Sequence, residues 1–150
     1  MAKLFSIKKK YSDRIYSKEK FVEFRRQNVN VNEGELCLIY TSAPVKKITG
    51  YFIVKEKIRT SLKKLWDLTK TVAGISYEEF NEYFKNCELG TAIVFKKIQK
   101  FSKMLGLDDL RLNGSFIPPQ SYCNLNVYLI ELYNEFIPQK DLNQFTLQNK

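Results

Sequence analysis

Residues 15–26 read IYSKEKFVEFRR and carry the strongest structural pattern in this chain of 150 residues. Its second part continues to residue 27, and these residues 20–27 (KFVEFRRQ) have the aromatic and β-branched content that is typical of a strand. Successive side chains of a strand point to opposite faces, so Val22 and Phe24 share one face while Glu23 and Arg25 share the other. Residues 20–27 are therefore predicted to form a strand with one core face and one polar face.

Strands and helices follow one another irregularly around this segment. Further strands are predicted at residues 4–8, 36–41, 47–58 and 91–98. Helices are predicted at residues 9–17, 61–70 and 76–86, the last beginning with a capping box formed by Ser76 and Glu79. Gly50 indicates a bulge or a close backbone approach. Residues 125–136 fit a helix, and part of them fits a strand equally well. This order predicts an α+β fold with an antiparallel sheet or a partly closed barrel.

The composition indicates one folded domain. Hydrophobic residues make up 44% of the chain and charged residues 27%, a balance typical of globular proteins. We assign residues 1–137 to this domain and residues 138–150 to a polar, frayed C-terminal tail. The N-terminus reaches lysines before any apolar run long enough for a signal peptide, and the apolar runs are too short to cross a bilayer. The sequence therefore predicts a cytoplasmic protein without membrane contact.

The chain contains no histidine and three widely spaced cysteines. The absence of histidine excludes the Ser and Cys triads that depend on it, as well as the usual His-containing zinc sites. An odd number of cysteines without a C-x-x-C pair indicates reduced core thiols. We therefore expect no metal and no cofactor, and any catalysis has to use Lys, Glu, Asp, Tyr or Arg.

The net charge of +9 is unevenly distributed along the chain. Residues 1–26 hold nine Lys and Arg against three acidic residues, residues 46–64 hold seven against one, and residues 91–111 hold five against two. Such clustering can form a positive face that attracts polyanions. The same lysines can also form an ordinary solvated surface. We favour the polyanion interpretation.

Residues 15–26 resemble the signature of the ASCH domain, a branch of the PUA-like β-barrel superfamily. The shared features are an Ile near the helix end, a small residue before Glu-Lys, and a Glu and an Arg two apart on the next strand. Residues 40–50 (YTSAPVKKITG) are similar to the family's second strand, its loop and its glycine-containing third strand. Residues 117–122 (IPPQSY) resemble a late Pro-Gln-Ser-aromatic segment. The resemblance spans residues 3–125 and implies a PUA-like partly closed barrel with flanking and inserted helices.

The resemblance also implies a cleft beside the first helix that binds a single-stranded RNA segment or a modified nucleotide. Arg25 can fork onto a phosphate, Lys20 supplies a point charge, and Glu23 can accept from a base amino group. Tyr40 and Tyr122 would offer rings on which a base stacks. The other candidate binding residues are basic or polar, namely Arg26, Ser42, Lys46, Lys47, Gln120 and Ser121.

Each candidate also has a purely structural interpretation. Glu23 and Arg25 can form an ion pair inside the barrel, and this interpretation has the same weight as a functional one. Tyr40 fits the core better than it fits a ligand platform, as do Trp66 and Phe80. Gln120 and Ser121 can satisfy backbone groups in a loop that contains proline.

Three functions are compatible with these features. The first is binding of RNA or a nucleotide-like ligand. The second is a small enzyme, because some ASCH-type proteins are amidohydrolases on acylated cytidine and others cleave RNA. Lys20 and Glu23 are then the catalytic candidates, although the amidohydrolases place Thr where this chain has Glu23, and a Lys base requires a lowered pKa. The third is a regulatory or protein-interaction domain.

Overall fold

The computed structural model describes residues 2–110, 116–124, 131 and 136–142. The strands are β1 (Lys3–Ile7), β2 (Val22–Arg25), β3 (Leu36–Thr41), β4 (Lys47–Ser61), β5 (Leu89–Gly106) and β6 (Tyr122–Asn124). The helices are α1 (Lys9–Tyr16), α2 (Leu62–Thr69), α3 (Tyr77–Tyr83) and α4 (Leu107–Leu110). Within these ranges, every helix is too short or too polar to cross a membrane.

The strands form one six-stranded sheet in the order β2-β5-β4-β3-β1-β6. The pairings are antiparallel except that of β1 with β3, which is parallel. Parallel neighbours need a crossover connection, and α1 and β2 lie in that connection. The sheet curls into a half-barrel, with α1 beside it and α2 and α3 inserted between β4 and β5. The predicted α+β, partly closed barrel is confirmed, although its sheet is mixed.

Two local patterns produce the structures they predicted. The Ser76 hydroxyl accepts from the Glu79 backbone N–H at 3.0 Å, and the Glu79 carboxylate accepts from the Ser76 N–H at 3.3 Å, so α3 begins with a capping box. Gly50 lies at a register shift between β3 and β4. A Cβ at this position would collide with the Gln99 carbonyl and the Tyr16 hydroxyl. Both the bulge and the close approach are therefore confirmed.

Other elements depart from the sequence prediction. β5 extends to Gly106, well beyond residue 98, because its second half pairs with the start of β4. The short elements α4 and β6 were missed, since a few residues contain no repeating pattern. Most of residues 125–136, for which helix and strand both remained open, lie outside the described residues.

The packed part of the chain extends beyond residue 137. Leu142 lies in the same apolar cluster as Ile137, and Asp141 is 4% exposed. The Tyr51 hydroxyl donates to Asp141 Oδ2 at 2.7 Å, and Lys97 Nζ donates to the same oxygen at 2.7 Å. This buried network holds residues 138–142, which we had assigned to the polar tail, against the barrel. Residues 143–150 lie outside the described residues.

The inserted helices cover one face of β2. Phe80 and Phe84 are each 1% exposed, and their rings meet Phe24 of β2 edge-on at 5.3 and 5.9 Å between centroids. Trp66 of α2 packs on Phe80 at 5.0 Å. Phe80 therefore belongs to the apolar interior, as expected, and Trp66 is half-buried against it. This cluster fixes the position of β2, the strand that also carries Glu23.

Candidate ligand-binding cleft

A cleft of about 610 Å³ opens where the C-terminal end of β2 meets the ends of β1 and β3 and the start of α1. Residues 118–120 form part of its wall. Its lining combines backbone from two strand ends with charged and aromatic side chains from several elements. The predicted site residues that line it are Glu23, Arg25, Arg26, Tyr40, Ser42, Lys46 and Gln120.

Arg25 connects the two edges of the barrel. Its Nη2 donates to the Ser6 carbonyl of β1 at 3.0 Å. Its Nη1 donates to Ser121 Oγ, next to β6, at 2.8 Å. The guanidinium also lies 5.2 Å from the centre of the Phe5 ring, at cation–π distance. Because β2 and β6 are the edge strands of the sheet, this single side chain spans the gap and is held in a fixed position at the cleft.

Glu23 lies beside Arg25 on the same strand, two residues away. Its Oε2 accepts from Arg25 Nη2 at 3.2 Å, and the two side chains are 8% and 13% exposed. A carboxylate this deeply buried requires a charged partner. The ion pair expected from the sequence is therefore present. Since both side chains also line the cleft, the same pair places a carboxylate and a guanidinium at the cleft wall.

Lys20 is buried next to the cleft and is 2% exposed. Its Nζ donates to the carbonyls of Val22 at 2.6 Å and Ala73 at 3.3 Å, and lies 4.8 Å from the centre of the Phe24 ring. Burial, partly offset by the nearby Glu23 carboxylate, lowers the pKa of Lys20 to about 8. The lysine thus joins the loop after α2 to β2. Phe24 lines the cleft, whereas Lys20 contacts the Phe24 ring and is not one of the lining residues.

Three exposed cations surround the cleft, namely Lys8, Arg26 and Lys46. Arg26 is held by Tyr83, because its Nε donates to the Tyr83 carbonyl at 2.6 Å and its guanidinium lies 4.4 Å from the Tyr83 ring centre. Lys8 and Lys46 form no ion pair within the described ranges. Lys46 also has a φ of 56°, a left-handed conformation that costs a non-glycine residue about 1–2 kcal/mol.

The two tyrosines expected to stack on a base have different positions. Tyr40 lines the cleft but is 3% exposed, and its ring packs on Phe116 at 6.1 Å between centroids. It therefore belongs mainly to the core, as its structural interpretation predicted. Tyr122 is half-buried on β6 and stacks on Phe5 at 5.3 Å. The Tyr122 ring therefore packs against Phe5, and the Phe5 ring in turn contacts the Arg25 guanidinium.

Three further predicted residues come together less closely. Gln120 is an exposed part of the cleft wall. Ser121 reaches the cleft through its hydrogen bond from Arg25. Lys47 instead lines a neighbouring surface pocket, which it shares with Lys46 and with two aspartates. Of these two consecutive lysines, Lys46 therefore lines the cleft and Lys47 does not.

Sequence analysis missed Lys8, Tyr11 and Tyr83, which all line the cleft. Lys8 was visible only as part of the first basic segment. Tyr83 comes from α3, 57 residues after Arg26, so no local pattern connects them. Its hydroxyl donates to the Phe24 carbonyl at 3.0 Å, and burial raises the pKa of Tyr83. It is therefore a neutral donor at the cleft.

The curled six-stranded sheet, the inserted helices and a cleft beside α1 together define an ASCH-type domain of the PUA-like class, which confirms the resemblance drawn from residues 15–26. A family model described as Domain of unknown function (DUF365) matches residues 1–117. The chain belongs to this family.

Known proteins support the same assignment. An ASCH domain-containing ribonuclease from Zymomonas mobilis subsp. mobilis is 28% identical over 119 residues, which are 79% of this chain and 80% of the relative. The crystal structure of ASCH from Zymomonas mobilis has a TM-score of 0.81 at 26% identity, covering 92% of this chain and 96% of that one. The N-terminal domain of Staphylothermus marinus McrB shares the fold, with a TM-score of 0.52 at 10% identity over 89% and 93% of the two chains.

Proposed function

We propose that this domain binds RNA, as a single-stranded segment or a modified nucleotide, in the cleft between β2 and α1. The proposal rests on one observation. The immobilised Arg25–Glu23 pair lines the same cleft as Lys8 and Lys46, two exposed ammonium groups without ion-pair partners among the described residues. Unpaired cations at a cleft can neutralise phosphates, while a buried carboxylate can accept a hydrogen bond from a base or a sugar hydroxyl. The relative named as a ribonuclease supports RNA as the polyanion.

The roles within the cleft follow from how firmly each side chain is held. Arg25 is already bonded on both sides, so it contributes a fixed positive charge at the cleft wall. Lys8 and Lys46 are exposed and contribute phosphate contacts. Arg26, held against the Tyr83 ring, presents a flat cationic surface on which a base can stack. Glu23 discriminates among bases or sugars through its acceptor oxygens.

A binding titration tests this proposal. A 5′-labelled single-stranded RNA 12-mer of mixed sequence is titrated with the wild type, with Lys8→Gln/Lys46→Gln, and with the matched surface control Lys64→Gln/Lys70→Gln. We expect the cleft variant to weaken binding about tenfold. The slope of log K against log [salt] should fall by about 1.4, because each lost contact to a single strand contributes about 0.7. The control should bind almost as tightly as the wild type.

The proposal is wrong if the wild type binds no RNA at low salt. It is also wrong if the cleft variant and the control have equal affinity, since the charge would then act only as a general surface. Thermal unfolding of the three proteins checks that they are folded. Both lysines of the cleft variant are exposed, so their removal is expected to leave the fold intact.

RNA cleavage is a second candidate, carried over from the relative that is named a ribonuclease. The observation in its favour is that Glu23, a buried carboxylate at the cleft, interacts electrostatically with Lys20, a nearby lysine whose pKa is lowered to about 8. Incubation of the same 12-mer with the wild type and Glu23→Gln, followed by gel analysis, tests it. Products with the wild type and none with the variant would support cleavage. An intact 12-mer after long incubation would leave binding as the function.

A further inference from the structure

A second basic surface lies at the opposite end of α1 from the cleft. Lys18, Lys96 and Lys97 line a shallow groove of about 280 Å³ together with Phe21 and Ile98. Lys100 extends this surface, and its Nζ lies 5.6 Å from the centre of the Tyr16 ring. We call Lys18, Lys96 and Lys100 the distal patch. Lys97 is left out because it pairs with Asp141 at 2.7 Å.

The distal patch lies where β2 begins, next to a part of the β5 edge that has no strand partner on this side among the described residues. β2 pairs with β5 from Thr91 to Val94, and Phe95 N–H still bonds to the Phe21 carbonyl. Beyond Phe95, β5 continues to Gly106, and β2 no longer pairs with it on this side. Lysines are common on open edge strands, where they prevent pairing with other chains. This protective role explains why β5 itself carries lysines at its edge. It does not explain why the segment after α1 adds a further cation beside them.

Lys18 is such a cation, and it occupies a position that favours glycine. It follows the C-cap of α1 with a φ of 66°. Its N–H bonds to the Ile15 carbonyl, and the Glu19 N–H bonds to the Arg14 carbonyl, which together form a Schellman motif. Glycine is the usual residue at this point, because a side chain there costs about 1–2 kcal/mol. A lysine at this point keeps a positive charge beside β5 despite the conformational cost.

The Lys18 side chain reaches towards β5. Its Nζ donates to the Ile98 carbonyl at 3.3 Å, which places the ammonium group over the open edge. Lys18, Lys96 and Lys100 are exposed and form no ion pair among the residues that the structure describes. Half-buried aromatic rings, Phe21 and Tyr16, lie between them. Unneutralised cations with interleaved rings are typical of surfaces that follow a single nucleic-acid strand.

We propose that the distal patch binds the phosphate backbone of the same RNA strand outside the cleft, so that the ligand is an oligonucleotide and not a single nucleotide. This inference rests on the proposed function. Lys8 at the cleft and Lys18 at the patch flank α1, whose eight residues span about 12 Å. That distance is on the order of four nucleotides at the 3.4 Å spacing of a stacked strand. A trimer confined to the cleft should therefore miss the patch, whereas a 12-mer should reach both.

The test compares RNA lengths. Labelled single-stranded RNA of three and twelve nucleotides is titrated with the wild type, with Lys18→Gly/Lys96→Gln/Lys100→Gln, and with a matched control that removes three exposed lysines elsewhere, Lys64→Gln/Lys70→Gln/Lys85→Gln. Glycine at position 18 suits the left-handed backbone, so the patch variant is expected to stay folded. We expect its affinity for the 12-mer to fall at least tenfold. The salt slope should fall by about 2, while trimer binding stays unchanged.

Several results would overturn this inference. Equal binding of the 12-mer by the patch variant and the control would do so, as would an equal loss for trimer and 12-mer, since the effect would then be general electrostatics. If Lys8→Gln/Lys46→Gln weakens both lengths and the patch variant weakens neither, the cleft proposal stands and the patch inference alone fails. If the wild type binds no RNA, both the cleft proposal and the patch inference are wrong. Phosphatidylserine vesicles bound by the wild type but not by the patch variant, with RNA affinity unchanged, would assign the patch to a membrane surface and overturn it.

Discussion

Lys20 shows how one side chain couples the fold to pH. It is 2% exposed, and burial lowers its pKa to about 8 from an ordinary value of 10.5. Between pH 8 and pH 10.5 the unfolded chain holds the Lys20 proton that the folded chain has released. Stability rises with pH wherever the unfolded state binds more protons. We therefore expect Lys20 to add a stabilising slope over this window, up to about 3 kcal/mol in total.

Urea denaturation of the wild type and Lys20→Met at pH 7.5, 9 and 10.5 measures this contribution. The variant has no proton to release, so its free energy of unfolding should fall relative to the wild type as pH rises. Taking this difference cancels the buried tyrosines, such as Tyr83, whose raised pKa acts in the opposite direction. Parallel pH profiles for the two proteins would contradict the lowered pKa. Lys64→Met, on the exposed face of α2, serves as the control.

At the scale of elements, α3 is tied to α1 through its capping box. The Glu79 carboxylate accepts from the Ser76 N–H, and it also pairs with Lys10 at 2.9 Å and with Arg14 at 3.2 Å. The Lys10 hydrogen bond, only partly opposed by burial, and the contacts with Ser76 and Arg14 lower the pKa of Glu79 to about 2. A carboxylate with a lowered pKa stabilises the fold above its unfolded pKa and loses this effect as pH falls. This carboxylate therefore contributes to the anchoring of α1, which carries Tyr11 at the cleft.

Substitution separates the cap from the ion pairs. Ser76→Ala removes the hydroxyl that accepts from the Glu79 N–H, and we expect a loss of about 1 kcal/mol in the free energy of unfolding at pH 7. Glu79→Gln keeps a side chain able to accept from the Ser76 N–H but loses both ion pairs. Its deficit should therefore shrink as pH falls from 5 towards 2, whereas that of Ser76→Ala should stay constant. Urea denaturation across this range decides between them, and equal pH dependence would contradict the assignment.

Local patterns predicted the elements whose cause is local. The capping box at Ser76 depends on neighbouring residues, and the bulge at Gly50 and the bounds of β3 are marked by signals in the local sequence, so the sequence was sufficient to predict them. The second half of β5 was not predictable in this way. Its polar residues become a strand because β4 provides a partner, and this tertiary pairing overrides a weak local preference.

The same distinction explains the candidate cleft. Glu23 and Arg25 could be predicted because they alternate on one strand and match a family signature. Tyr83 could not, because α3 is distant in sequence and only the tertiary fold brings it to the cleft. Lys8 was visible as a cation, but its place at the cleft also depends on the tertiary fold. Lys20 has the burial that a catalytic lysine would need, yet it is bonded to two carbonyls beside the cleft wall. The path of the chain and the burial of each side chain depend on the whole fold, so they cannot be inferred from one residue at a time.

At the scale of the whole molecule, Asp141 connects the C-terminal segment to two central strands. Its Oδ2 accepts from Tyr51 of β4 and from Lys97 of β5, both at 2.7 Å. Burial alone would raise the pKa of Asp141, but these two bonds outweigh it and the pKa is lowered. The carboxylate is therefore charged in the folded protein, and Tyr51, which is fully buried, is the donor in its most enclosed bond.

Tyr51→Phe should destabilise the protein by about 2 kcal/mol, because a hydrogen bond to a buried charge contributes about 1.5–3 kcal/mol and its loss leaves the carboxylate less well solvated. Lys97→Met should have a smaller effect, since the Lys97 side chain is 32% exposed and water can replace its ammonium group. Chemical denaturation at pH 7 measures both values. The double variant with Asp141→Asn identifies the shared partner, because Tyr51→Phe should cost markedly less once the charge is gone. An undiminished cost in that background would mean that Tyr51 acts through packing, and that the Tyr51–Asp141 bond does not hold residues 138–142 on the barrel.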